Sequence, residues 1–270
     1  RLSRAERLPM VTSLHIPPFK VLRSALMDGA APWHLSSVVS ARQRGIWWPE
    51  GAPDTAHVVH NGIDLDEWPQ GGPGDGSAVW AGRITPTKGT HLAAEAAQIA
   101  GVPLRIYGVV EHQDYFNDMV RPHLYGDVAY VGHLETAALG AAYGRASVAL
   151  FTPQWEEPFG LAAVEAMATG LPVAATPHGA VEEVLGEAGV IAAEDSAVAL
   201  ARALLQARDI PAKVPRARVA RLFDAQAMVT KFERLYHAAR AQRDVALPRK
   251  TYPAIALQVE GAPQPLAEAG

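Results

Sequence analysis

From residue 77 onward, short apolar runs alternate with longer stretches whose apolar positions recur every three to four residues. The runs 78–81, 103–107, 128–131, 147–151, 171–175 and 189–192 are bounded by Gly and Pro and read as strands buried on both faces. Between them, 89–100, 113–120, 136–145, 160–169 and 181–185 read as helices; in the first, Leu92, Ala96 and Ile99 share one face. Strands alternating with helices mean βαβ units, so residues 77–223 are expected to form an α/β domain with a doubly wound parallel sheet. The first part of the chain repeats the rhythm in shorter form. Residues 10–14, 35–39 and 56–60 read as strands. Residues 17–28 read as a helix with Pro17 in its first turn and Gly29 just past its end. Ser40 is placed to cap a helix over 41–48.

These elements give a domain plan. Residues 1–69 supply three strands and two helices, about half of a nucleotide-binding type domain. Residues 70–76, the most Gly/Pro-rich window, read as a linker. Residues 77–223 form the larger domain, 224–247 a closing helix and 248–270 a surface tail rich in Pro, Ala and Gly. The chain opens at Arg1 without an initiator Met and runs almost at once into a strand, so it is expected to be a fragment.

Composition narrows the function classes. The 270 residues are 49% hydrophobic and 19% charged, the balance of a folded chain with a sizeable core. A net charge of −4 gives no overall electrostatic reason to expect nucleic acid. No apolar run approaches the roughly 20 residues of a transmembrane helix. Residues 1–14 lack the apolar core of a signal peptide, so a cytoplasmic protein is the default expectation. The absence of cysteine removes thiolate metal sites and cysteine nucleophiles.

Two constellations carry the candidate chemistry. Trp155-Glu156-Glu157-Pro158-Phe159-Gly160-Leu161 leads from the end of one strand into a helix that carries Glu165 among apolar neighbours. A carboxylate so placed is costly unless it is paired, bonds local amides or holds a polar ligand. The turn before it offers free backbone N–H groups and a positive dipole end. The second is Gly82-Arg83-Ile84-Thr85-Pro86-Thr87-Lys88-Gly89, again strand, turn and helix. It is not a phosphate loop of the Walker type, because Thr87 stands where glycine must precede the lysine. Arg83 and Lys88 are either a solvated pair of cations or a clamp for a diphosphate. The pair Trp47-Trp48 reads as packing at a helix end rather than as a sugar platform.

Taken together, Gly82-Arg83-x-x-Pro86-x-Lys88-Gly89, Glu157-Pro158-Phe159-Gly160-Leu161-x-x-x-Glu165 and Gly179-Ala180-x-Glu182-Glu183-Val184 resemble the family-four retaining glycosyltransferases. His60-Asn61-Gly62-Ile63-Asp64, Ile106-Tyr107-Gly108, Tyr130-Val131-Gly132-His133 and Val11-Thr12-Ser13-Leu14-His15 support the resemblance, which spans about residues 8–240. It implies the GT-B architecture, two Rossmann-like domains with parallel sheets, the N-terminal one incomplete here. It implies a nucleotide-diphosphate sugar as donor substrate, with no cofactor and no metal. Arg83 and Lys88 would hold the diphosphate, Glu165 the ribose hydroxyls and Glu157 the donor sugar. Phe159, Gly160 and Leu161 would offer amides to sugar and phosphates. Gly82, Gly108, Val131, Gly132 and His133 would border the donor, and His15 would close over the sugar from the other domain. Family members carry roughly a hundred further residues upstream, including a Gly-rich loop that contacts donor and acceptor. The acceptor (a sugar, glycoside or small molecule) is therefore not readable, and a complementing N-terminal half is an expected partner. Two other readings stand beside transfer: a nucleotide-sugar-binding module without turnover, and a sugar-nucleotide epimerase of the same architecture.

Overall fold

A computed structural model describes residues 2–246; the expected tail, 248–270, and the last residue of the expected closing helix lie outside them. After a short helix α1 (Leu2–Ala5), the first sheet consists of β1 (Met10–Leu14), β2 (His34–Val38) and β3 (Ala56–Val58), parallel and in that order. Helix α2 (Lys20–Gly29) joins β1 to β2, and α3 (Ala41–Trp47) joins β2 to β3. Pro17 and Pro18 precede α2 rather than opening it, and Gly29 is its last residue. Ser40 caps α3 by accepting from the Gln43 N–H at 3.0 Å. Trp47 and Trp48 are buried, with ring centroids 6.1 Å apart, and pack against Leu14 and Val38.

The second sheet has β4 (Ala78–Ala81), β5 (Leu104–Tyr107), β6 (Val128–Gly132), β7 (Val148–Phe151), β8 (Val173–Ala175) and β9 (Gly189–Ile191). All are parallel, in the order β6-β5-β4-β7-β8-β9. Numbered within the sheet this is 3-2-1-4-5-6, the Rossmann order, and the crossovers reverse direction between β4 and β7. Alternate side chains serve two cores. Ala78, Trp80, Leu104 and Ile106 face α4 (Thr90–Ala100) and α9 (Ala197–Ala207). Val79, Ala149, Phe151 and Val173 face α7 (Leu161–Ala168) and α10 (Lys213–Leu222), with α6 (Thr136–Arg145) and α8 (Val181–Leu185) beside them. The buried side of α4 is Leu92, Ala93, Ala96 and Ala97, whereas Ile99 is exposed. The small alanines let α4 and α9 lie close, which turns Ile99 out of the expected face. The helix expected over 113–120 is a single α-turn, α5 (Gln113–Tyr115), running into a π-turn and then a 3-10 turn over Arg121–His123. Pro122 has no N–H, and its ring would meet the carbonyl of Asp118 in a regular helix, so the helical pitch changes there.

The two sheets are tied together at several points. Ile63 donates to the Phe223 carbonyl (2.9 Å), and Ala225 donates back to Ile63 (3.1 Å). From there α11 (Ala225–Ala246) returns across the first sheet, where Leu235 and Ala239 pack on Leu35 and Val59. Segment 70–76 is fastened to the second sheet's helices: Gly71 donates to Thr169, Gly72 to Gly144 and Asp75 to Arg145. No helix among the described residues is long and apolar enough to cross a membrane.

The carboxyl ends of β4 and β5 approach so closely that only glycine fits. Gly108 has φ +142°, and a Cβ there would lie 1.7 Å from the Gly82 carbonyl oxygen. Gly108→Ala is therefore expected to cost about 3 kcal/mol or more in urea melts, combining strain with collision. Gly101→Ala is the control: it shares a positive φ (+65°) with nothing within 4 Å, and should cost only about 1–2 kcal/mol.

Candidate active site

The topological switch point puts the loops after β4 and β7 side by side, and these loops carry both sequence constellations. Lys88 ends a 3-10 turn (Pro86–Lys88) that Gly89 closes in the left-handed region. The loop is pinned against the one after β7: Thr152 donates its hydroxyl to the Lys88 carbonyl (2.8 Å), and Gln154 N–H to Thr87 (2.8 Å). Lys88 Nζ then reaches Glu157 Oε2 at 2.6 Å, and the Trp155 indole N–H donates to the same oxygen at 2.8 Å. The ammonium lies 5.6 Å from the Trp155 ring centroid, a cation–π contact. Both partners are mostly shielded, with side-chain exposure of 21% for Lys88 and 8% for Glu157. The family resemblance implies separate tasks for these two residues; the structure brings them into direct contact.

The turn after Glu157 is built around its carbonyls. Ala180 N–H donates to the Glu157 carbonyl (2.9 Å), and the Ser40 hydroxyl to the Pro158 carbonyl (2.7 Å). Gly179 (φ +67°) allows this approach, since a Cβ there would sit 2.2 Å from the Glu157 oxygen. Gly160 (φ +100°) backs onto the Phe151 ring. The N–H groups of Phe159, Gly160, Leu161 and Ala162 have no hydrogen-bond partner among the described residues. Together they make an amide-lined opening at the positive end of α7.

Beside this lies a cavity of about 240 Å³ bordered by Gly82, Arg83, Tyr107, Gly108, His133 and Glu165, with Leu134, Leu139 and Ala162 supplying an apolar wall. Glu165 is half-buried, its carboxylate makes no hydrogen bond among the described residues, and burial pushes that carboxyl above the usual carboxylate range. Arg83 is exposed and paired with Glu111 at 3.1 Å, a contact of small net value. Gly132 closes the strand end by accepting from Gly108 N–H (2.9 Å), whereas Val131 is exposed and does not border the cavity. Phe159 is buried against His60 and Phe223, and Leu161 is exposed. His15, just past the end of β1, is exposed and makes no hydrogen bond, ion pair or ring contact among the described residues.

Sequence reasoning missed the seam between the two sheets. Glu183 accepts the N–H of Ala41 (2.9 Å) and of Arg42 (3.0 Å) at the start of α3, together with His60 Nε2 (2.7 Å). Burial opposes its ionisation, but the bonds from His60, Ala41 and Arg42 outweigh it and hold the carboxyl below its usual value. Arg42 grips Glu156 with two bonds, 3.0 and 2.7 Å. The signals available were the Ser40 cap and the Glu182-Glu183 motif, and neither names a partner more than a hundred residues away. The sequence reading also passed over Asp64-Leu65-Asp66, whose spacing is that of a metal-binding Asp-x-Asp. Here Asp64 Oδ1 instead accepts the Asp66 N–H (2.9 Å) in a local turn.

Known proteins share this chain's motifs and its fold. The family model described as "Glycosyl transferases group 1" matches residues 73–219. Glycogen synthase of Mycobacterium tuberculosis is 34% identical over 210 residues, covering 71% of this chain and 50% of that protein, so the chain spans about half the length of the curated relatives it matches. Among solved structures, Anabaena HepE in complex with UDP and glucose superposes with TM-score 0.74 at 21% identity, covering 87% of this chain and 73% of that one. Sucrose-phosphate synthase from Thermosynechococcus elongatus gives TM-score 0.71 at 22% identity, covering 89% and 70%. These structures share the GT-B fold.

Removing Lys88 alone leaves the Glu157 carboxylate shielded and unpaired. Lys88→Ala should therefore destabilise the chain by about 3 kcal/mol. Adding Glu157→Gln removes the stranded charge and should recover most of the loss. Chemical denaturation of the two single variants and the double variant checks this; additive losses would show that the pair is not coupled.

Proposed function

The chain belongs to the group 1 glycosyl transferases, and from that membership we propose that it moves a sugar from a nucleoside-diphosphate sugar to an acceptor hydroxyl, with retention at the anomeric carbon and without a metal ion. The observation that carries the reading is the half-buried Glu165 carboxylate, without a hydrogen-bond or ion-pair partner among the described residues, bordering the same cavity as Arg83. Its two oxygens match the adjacent hydroxyls of a ribose. The apolar wall of Leu134, Leu139 and Ala162 suits a base.

The remaining groups divide the work. Arg83 exchanges Glu111 for the diphosphate, and Lys88 does the same from Glu157. Two cations and the open amides of Phe159–Ala162 stabilise the charge that develops as the bond from the anomeric carbon to the phosphate oxygen breaks. The acceptor oxygen bonds to the anomeric carbon on the face the diphosphate leaves, and its proton passes to the departing phosphate oxygen. Glu157, released by Lys88, accepts from hydroxyls of the donor sugar; it is not the nucleophile. His15 approaches from the first sheet. Cationic side chains and helix amides fill the electrostatic role that a metal plays in other transferases.

Glu165→Gln tests the central assignment. Affinity for UDP, ADP or GDP sugars should fall by roughly 1–3 kcal/mol, while inorganic pyrophosphate, which has no ribose, should bind as before. Equal weakening of both ligands would remove the ribose role. The same variant should melt higher at neutral pH. A carboxyl raised by burial binds more protons folded than unfolded, so its contribution to stability declines as pH rises from about 4.3, the ordinary glutamate value, through the raised one; glutamine removes that decline.

The metal-free assignment has its own check. EDTA should leave donor binding by calorimetry unchanged, and a signal lost to EDTA and restored by magnesium or manganese would contradict it. In the same assay, donor binding without any release of sugar in the presence of acceptors would identify a binding module rather than a transferase.

A further inference from the structure

We propose that Ser40, which belongs to the first sheet's unit, is a positioning residue of the donor site: its hydroxyl holds the Pro158 carbonyl and so fixes the turn that presents the amides of Phe159–Ala162 to the donor. The inference rests on the donor-binding reading above and extends it to a residue of the opposite half of the chain.

The argument begins with the start of a helix. In a regular α-helix the N–H of Leu161 would bond the Glu157 carbonyl, and that of Ala162 the Pro158 carbonyl. Here both carbonyls are taken elsewhere, one by the Ala180 N–H and one by the Ser40 hydroxyl. Because the Pro158–Phe159 peptide is trans and planar, holding its oxygen toward Ser40 fixes the Phe159 N–H on the opposite side.

Ser40 is engaged as both donor and acceptor. It is completely buried, and its oxygen accepts the Gln43 N–H at 3.0 Å as the cap of α3. A hydroxyl has one proton to give, and that proton goes to Pro158 at 2.7 Å. One oxygen thus joins the cap of α3 to the turn that follows Glu157. Around it, Arg42 holds the Glu156 side chain and Glu183 holds the amides of Ala41 and Arg42, so α3 meets the turn as a rigid end.

Three substitutions separate this role from simple capping. Glycine is nearly as good a cap as serine, whereas alanine is poor; neither has a hydroxyl. Threonine keeps both donor and acceptor. If Ser40 only caps α3, Ser40→Gly behaves like the parent chain and Ser40→Ala alone is impaired. If it positions the donor site, Ser40→Ala and Ser40→Gly both raise the Kd for UDP-glucose or ADP-glucose by roughly tenfold, the scale of one aligned hydrogen bond. Ser40→Thr should stay within about threefold, and thermal melts rank Gly above Ala.

A second readout needs no ligand. In the free chain, amide NMR should show the Phe159–Ala162 resonances shifted in the Ala and Gly variants and unmoved in Thr. The Ala162 N–H should exchange more slowly once the vacated Pro158 carbonyl becomes available to it. Unmoved resonances in the Ala and Gly variants overturn the proposal, whatever the chain binds. Shifted resonances in a chain that binds neither sugar nucleotide overturn the donor reading and leave the Ser40 linkage standing.

Discussion

Lys88 and Glu157 meet at 2.6 Å across 69 residues of sequence, and the rest of the site is arranged around that contact. The central strands β4, β7 and β8 are buried along almost their whole length and leave no room for a charged pair among them. Loops from non-adjacent segments converge at the carboxyl edge, and the switch between β4 and β7 brings these two loops together. Shielding an ion pair there contributes little to stability over an apolar replacement. The supporting bonds from Trp155, Thr152 and Gln154 fix its position instead. The glycines at 89 and 179 serve the same end, since a side chain at either would push one loop off another, and one at 160 would meet the Phe151 ring.

The seam between the two sheets has a similar economy of partners. Glu183 sits in the first turn of its own helix, yet its carboxylate serves another helix, taking the two leading amides of α3 as well as His60. An acid at a helix start is favoured by the positive end of the dipole, and here one carboxylate lies at two such ends at once. His60 in turn stacks on Phe159 and meets Phe223 edge-on, next to the crossing at Ile63. The crossing at Ile63, α3 and the turn after Glu157 therefore form one connected polar and aromatic patch.

The second sheet is legible from sequence because strands buried on both faces leave uninterrupted apolar runs, such as the one over 147–151, and because glycine and proline mark their ends. The Ser40 cap is legible because capping is local. The helices Ala197–Ala207 and Lys213–Leu222 drew no expectation, although Ala197, Leu200, Ala201 and Leu204 recur at helical spacing. The change of helical pitch before Pro122 was hidden for a different reason: periodicity predicts a helix but not its hydrogen-bond step. Arg83, Lys88, Glu157 and Glu165 stand out as polar residues at strand ends or in an apolar helix. Trp155 and His60 do not, because their importance comes from what they touch, and the partners of Ser40 and Arg42 lie 118 and 114 residues away.

On the proposed function, the resting site holds each of its cations on one of its own carboxylates, and the two pairs differ in kind. Arg83 with Glu111 is solvent-exposed, so a diphosphate displaces the carboxylate at little cost and Glu111 returns to water. Lys88 with Glu157 is shielded, and an ammonium that moves to phosphate leaves a carboxylate that water cannot fully solvate. Trp155 still donates one bond to Glu157 Oε2, but the charge needs further donors. Hydroxyls of a donor sugar are able to supply them. Diphosphate and sugar recognition are then coupled through one carboxylate: each half of the donor binds better when the other is attached. A nucleoside diphosphate lacking its sugar strands Glu157, which favours exchange of spent nucleotide for fresh donor.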